Sequence, residues 1–441
     1  MKRISVFLLA LVFAATASST LASDYSRAIA KDYKNHLGAL WDHFHRNPEL
    51  SLMEHKTAAR LTEELSAVGF KVSENIGGTG IVAIMENGPG PMVMVRADMD
   101  GLPVVENSGL KNASKVKMTD WDGNEVGVMH ACGHDVHITS LVGTARYMSN
   151  NKDAWSGTLM LIGQPAEERG PGASAMMDDN IWDTFGQPDY AIAFHVGANR
   201  EAGKIGIDTG SPYAGADTVD ITVHGVGAHG ASPHMGKDPI VIASQIVMNL
   251  QTIVSREIAP RDSAVITVGA FHSGTKHNII SNRADLQLTV RSLNPRVREQ
   301  LLTAIERVAK GTARTAGLPE DKLPEVVVSE FAYPPTFNDK TLARRLIGVV
   351  TEQMGADILL PLEEGGGMGA EDFGFFTTDP YIPSVYFGVG GTPKADLDAA
   401  KNGGKPVASH HSPLFKIAPE PSIKSGVEAT VHALLDLMPS E

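Results

Sequence analysis

Cysteine is nearly absent from this chain of 441 residues: there is one, Cys132. No disulfide can form within the chain, and its length supplies enough core to fold without such staples. Basic charge is also scarce. Lys and Arg number 38 against 51 Asp and Glu, a formal net charge of −13. That leaves no basic surface to offset phosphate repulsion, so nucleic acid is excluded as a partner. No apolar run reaches the roughly 20 residues that a membrane span needs. Internal repeats and low-complexity tracts are missing too, which argues against solenoid or fibrous architectures. What remains, 42% hydrophobic and 20% charged residues, is the composition of a globular chain of two domains or one large one.

The N-terminus has a processing pattern. Met1-Lys2-Arg3 is basic, an apolar run follows from Ile4 to about Ala17, and small residues end at Thr20-Leu21-Ala22. This predicts a signal peptide over residues 1–22, and a mature chain that is secreted or periplasmic in a bacterium, with no membrane anchor. A free thiol risks oxidation there, and metal coordination would protect it.

Cys132 sits in the run His130-Ala131-Cys132-Gly133-His134-Asp135-Val136-His137. A thiolate and an imidazole two residues apart suit a transition metal; the alternative is an inert thiol in a core. Glu167-Glu168 follows a strand-like run. One carboxylate of such a pair can bind metal while its neighbour accepts a proton from water. His195 and the pair His410-His411 add imidazoles.

Hydrophobic periodicity predicts helices over Tyr25 to about Phe44, Glu54 to about Val68 and Asp135 to about Met148. Strands are expected at Ile81–Met85, Met92–Arg96, Thr158–Gly163 and Tyr190–Phe194. The alternation predicts an α/β fold with a mixed, mostly parallel sheet flanked by helices. Asp98 and Asp100, Glu167 and Glu168, and His195 would each follow a strand, at the edge where such sheets bind ligands. A loop is expected over Asn107–Gly127. From about 209 to 328 the order β-α-β-β-α-β predicts an inserted ferredoxin-like α+β domain, a lid or dimerisation module. The first domain would then comprise 23–208 and 329–441, with a helix near Lys340–Met354 and a strand near Ser384–Phe387.

Seven runs make the sequence resemble the M20 metallopeptidase family, in the amidohydrolase branch of hippurate hydrolases and plant auxin-conjugate hydrolases. They are His45-Arg46-Asn47-Pro48-Glu49, Arg96–Pro103, His130–His137, Gln164–Glu168 with Gly172-Ala173, Gly227–Gly230 to Asp238-Pro239, Gly369–Phe373 and His411-Ser412-Pro413. The resemblance implies two divalent metal ions, of manganese, zinc, cobalt or nickel. It implies Cys132, His134, Glu168, His195 and His411 as ligands, with His411 rather than His410 in the last place. Glu167 matches the general base and Asp100 a residue orienting the metal site. Other branches place a ligand His where Asp98 stands, so Cys132 takes over that duty here. On the lid, His229 would stabilise the oxyanion, in its own subunit or across a homodimer, and Asn278 and Arg291 would hold the substrate carboxylate. The activity implied is hydrolysis of the amide bond of small N-acyl amino acids or related conjugates. Two alternatives stand: a dipeptidase or carboxypeptidase with the same chemistry, and a non-catalytic metal- or ligand-binding protein. His224, His272 and His277 read as surface or structural, and the glycine-rich run Gly365–Gly369, which Glu371 and Asp372 follow, as a flexible loop bordering the site.

Overall fold

The computed structural model describes residues 24–361 and 367–440; residues 1–22, expected to be a signal peptide, lie outside them. The chain divides into two compact units. Among the described residues, one holds 24–210, 337–361 and 375–440, the other 211–336 and 367–374.

The first unit is built on a seven-stranded sheet. In spatial order its strands are Lys71–Ile76, Gly80–Asn87, Gly157–Gln164, Met92–Asp98, Tyr190–Glu201, Ser384–Thr392 and Ile205–Gly206. The central four run parallel, and the flanking pairings are antiparallel. The central strands are apolar almost throughout: Val93, Val95, Leu159, Leu161 and Ile192 are all buried. That pattern is what a parallel strand covered on both faces requires. Helices His55–Ala67, His134–Asn150, Lys340–Met354 and Pro419–Leu437 contribute Leu61, Leu141, Leu346 and Leu434 to the same core. The first helix is interrupted by a π turn at Tyr33–Leu37. Among the described residues, no helix is long and apolar enough to cross a membrane.

Two strands run on to include a residue expected just past their ends. Met92–Asp98 includes Asp98, and Tyr190–Glu201 carries His195 within it. The second strand continues because Ser384–Thr392 pairs with it through His195 and Gly197, whereas pairing with Met92–Asp98 stops at Ala193. His195 therefore emerges just past its neighbour's paired segment. The expected loop over Asn107–Gly127 also holds a small hairpin, Lys117–Thr119 with Glu125–Gly127.

The second unit has a four-stranded antiparallel sheet in the order Ala264–Ser273, Arg283–Ser292, Gly215–His224, Glu325–Tyr333. With helices Pro239–Thr252 and Pro295–Thr315 between strands, the chain order is β-α-β-β-α-β. Leu286, Leu288 and Val290 are buried, while Asp285, Gln287 and Thr289 alternate with them on the wetter face. Each helix starts on a capped proline. Asp238 accepts from the amide of Ile240, and Asn294 from that of Val297, both at 2.9 Å. These caps satisfy amides that the helix itself leaves open.

The unit's limits differ from 209–328. Tyr333 still pairs with Ala216, so the last strand outruns the expected end. A distant stretch joins it: Gly369 O accepts from Ala214 N at 2.8 Å, and Met368 O from Arg291 Nη1 at 3.1 Å. Glu371 and Asp372 belong to this stretch and are buried.

Candidate metal centre

Three parallel strands deliver their ends to one edge of the first unit. Asp98 closes its strand beside Gln164, which closes the next; Glu167 and Glu168 follow Gln164, and Asp100 follows Asp98. The helix after Cys132 begins at His134 because Gly133 adopts a φ of 87°. Only glycine fits there without strain, and a Cβ would lie 2.4 Å from Val196 Cγ1.

His134 is at the centre. Its Nδ1 donates to the carbonyl of Asp100 at 2.9 Å and faces Oδ1 of the same residue at 3.2 Å. The opposite nitrogen, Nε2, is therefore the lone-pair side, and it is buried without a hydrogen-bond partner. It lies 3.9 Å from Glu167 Oε2 and 3.9 Å from Glu168 Oε1, the latter also buried and unpartnered. Asp100 does double duty, since its Oδ2 accepts from the amide of Glu168 at 3.1 Å and from Ser51 Oγ at 2.6 Å.

Cys132 Sγ lies 3.3 Å from His195 Nε2 and 3.6 Å from His410 Nδ1. The two rings differ in protonation. His195 Nδ1 faces its neighbour's carbonyl, Val196 O, at 2.8 Å, so its Nε2 carries the lone pair. His410 Nε2 instead accepts from the amide of Ala198 at 3.1 Å, so its Nδ1 carries the hydrogen and donates to the sulfur. His411, in a left-handed conformation with a φ of 63°, places its Nε2 3.4 Å from Glu168 Oε2. Cys132, Glu168 and His411 thus form one candidate ligand group, and His134, Glu167 and Glu168 another, with donor atoms of each group within 4.8 Å.

A histidine and an arginine complete the surroundings. His137 Nε2 accepts from the amide of Val196 at 2.9 Å and its Nδ1 donates to Asp98 Oδ1 at 2.5 Å. Arg96 Nη1 donates to Asp98 Oδ2 at 2.7 Å. Burial works against the charge of Asp98, yet His134, Arg96 and His137 hold it well below the ordinary carboxylate range. Asp98 is therefore spoken for by its neighbours.

The donor set suits a cation. Burial, with Asp100 beside it, pushes Glu168 up to about 7 despite His134. Burial and the carboxylates of Glu168 and Glu167 push the Cys132 thiol up. Burial opposes the charge of His134, but Asp98 and Asp100 raise it to about 10. A positive ion among these side chains would let the carboxylates and the thiol ionise together. An S, N, O set with two buried unpartnered donors fits transition metals.

Of the expected residues, Cys132, His134, Glu167, Glu168, His195, His411 and Asp100 are brought together. His229, Asn278 and Arg291 belong to the second unit. There His229 is exposed and its Nδ1 accepts from the amide of Ala231 at 3.0 Å, while Asn278 O accepts from Gly230 N at 2.8 Å. Sequence reasoning assigned no duty to His137, Arg96, Ser51 or Glu54. The first two lie inside runs already singled out, where the alternation Arg96-x-Asp98 was the available signal.

Residues 94–418 match peptidase family M20/M25/M40. The chain belongs to this family. A hippurate hydrolase of Campylobacter jejuni is 36% identical over 333 residues, 75% of this chain and 82% of that protein. A thermostable carboxypeptidase of Saccharolobus solfataricus is 37% identical over 350 residues, covering 78% and 83%. Among solved structures, a dinuclear metal-binding M20 peptidase of Bacillus subtilis superposes with a TM-score of 0.76 at 25% identity, over 93% of this chain and 100% of that one.

Proposed function

We propose that the chain is a metal-dependent amidohydrolase that cleaves the amide bond of small N-acyl amino acids or related conjugates. The observation that carries this is the pair of buried, unpartnered donors, His134 Nε2 and Glu168 Oε1, facing each other beside a second carboxylate, Glu167. Family membership and the hippurate hydrolase relative support the same reading.

His134, Glu168, Cys132, His195 and His411 would hold two divalent ions. Bound there, such ions lower the pKa of water and polarise an acyl carbonyl. The chain supplies the rest. Asp100 fixes the tautomer of His134 and, through its amide, the direction of Glu168. Glu167, whose side chain is 11% exposed, takes the proton of the attacking water and returns it to the leaving amine. His229 as oxyanion donor is part of this proposal on its motif position alone, and Asn278 and Arg291 as carboxylate-holding residues on their place in the second unit alone. So are manganese, zinc, cobalt or nickel as the metal, a homodimer through the second unit, and secretion or a periplasmic location after loss of residues 1–22.

The carboxypeptidase relative favours one second reading, the same chemistry on a peptide. Hydrolysis of a panel of N-acyl amino acids and dipeptides by metal-reconstituted protein separates the two. The proposal expects turnover of N-acyl amino acids with dipeptides poor; the reverse order would give the second reading, and no turnover of either would refute both.

A further inference from the structure

The segment from Glu49 to Thr57 supplies none of the metal donors, yet it grips the loops that carry Asp100 and Glu167-Glu168. Leu50 bridges to Gly101, and Ser51 Oγ donates to Asp100 Oδ2. Glu49 closes the segment on itself by accepting from the amide of Thr57 at 2.7 Å. Glu54 is the unusual member. Its relative exposure is 0%, and its partners are two backbone amides and one hydroxyl. Oε1 accepts from Leu52 N at 2.9 Å and from Ala166 N at 2.8 Å; Oε2 accepts from Thr79 Oγ1.

Both amides come from strained residues. Leu52 has a φ of 64° and Ala166 a φ of 52°, two of five non-glycine residues with positive φ among those described. Side chains with a Cβ rarely hold that conformation unless their surroundings impose it. Ala166 is buried, immediately precedes Glu167, and accepts from Gly170 N at 3.1 Å, which closes the turn carrying both carboxylates. Gly172 packs so tightly under the same turn that a Cβ would lie 1.7 Å from Pro165 O.

We propose that Glu54 is a positioning residue for Glu167 and Glu168: its Oε1 holds Ala166 in the left-handed conformation that turns both carboxylates toward His134. This rests on the hydrolase reading above for its consequence, but not for its geometry. The burial of an acid without a basic partner is then a matter of acceptor placement rather than charge. Gln keeps an oxygen for the two amides, and Thr79 can turn to accept from its nitrogen. Asp keeps the charge but withdraws the oxygen by one methylene.

The experiment compares E54D and E54Q with wild type in three measurements. Amide exchange of the 165–170 stretch is read in metal-stripped protein, so it needs neither substrate nor ion. Metal retained after dialysis against a fixed chelator is the second, and kcat and KM of reconstituted protein on an N-acyl amino acid the third. E54D should speed exchange at 165–170 by about tenfold while the Gly157–Gln164 strand stays protected. Its kcat should fall by up to about 10²-fold with KM little changed, the scale of a small misplacement of catalytic groups. E54Q should match wild type in all three. Wild-type behaviour of E54D, or impairment of E54Q, would overturn the proposal; if E54D does not fold, E54Q alone decides by the same criterion. Wild-type protein that fails to hydrolyse any substrate would refute the hydrolase reading and leave the exchange comparison to judge Glu54.

Discussion

Ring tautomers separate the histidines around Cys132 more sharply than distance does. His134 and His195 each place Nδ1 on a carbonyl and turn Nε2 inward, whereas His137 and His410 each spend Nε2 on a backbone amide. Only a nitrogen without hydrogen can bind a metal. His410→Gln should therefore leave the metal count unchanged by elemental analysis, and His411→Ala, like Cys132→Ala and His134→Ala, should lower it. Full loading of the His411→Ala protein with loss in His410→Gln would reverse the assignment. His45 gives a pH test. Burial opposes its charge, but Asp135 at 2.8 Å and Glu106 at 3.4 Å raise its pKa from 6.5 to about 10. A raised pKa stabilises the fold in full below the unfolded value and loses that contribution as pH climbs through the folded one. The Tm deficit of His45→Gln should thus be largest near pH 6.5 and shrink toward pH 10. A deficit that stays constant over that range would show that His45 contributes by packing alone.

Elements place these residues, and their boundaries were only partly legible. The helix after Cys132 and the strands around Met94 and Leu161 followed from periodicity, because each buries a continuous apolar face. His195 was expected after its strand; it lies within it because a neighbouring strand some 190 residues later extends the ladder, which no local pattern encodes. The histidine tautomers were illegible for the same reason, since Val196 and Ala198 become partners only on folding. Gly133 is the local device that could be read, a glycine between two donors. Gly133→Ala should cost at least about 1 kcal/mol for its left-handed backbone, before the clash with Val196 is counted. Chemical denaturation and metal analysis should fall together. A variant with unchanged stability and metal content would mean that the turn has room to relax.

The whole molecule combines a metal-competent edge on one unit with a ferredoxin-like unit of its own core. The β-α-β-β-α-β order was readable from alternation and from the Asp238-Pro239 and Asn294-Pro295 starts. Its recruitment of Gly369 and Met368 was not, because that pairing spans roughly 80 to 150 residues of sequence. His229 is the residue through which the second unit is proposed to serve chemistry. His229→Ala should then lower kcat more than KM in folded, metal-loaded protein, as expected for a group that binds the tetrahedral state better than the planar carbonyl. Wild-type kcat would leave His229 as surface.

The central claim is that Glu167 moves the proton in an amide hydrolysis carried out at this edge, and it is tested most directly by Glu167→Gln. Metal content and kcat should be measured on the same preparation, with the N-acyl amino acid that wild type turns over best. Loss of a general base at a retained metal site predicts full metal content and a kcat lower by at least about 10²-fold. A variant with full metal content and near wild-type kcat would contradict the account.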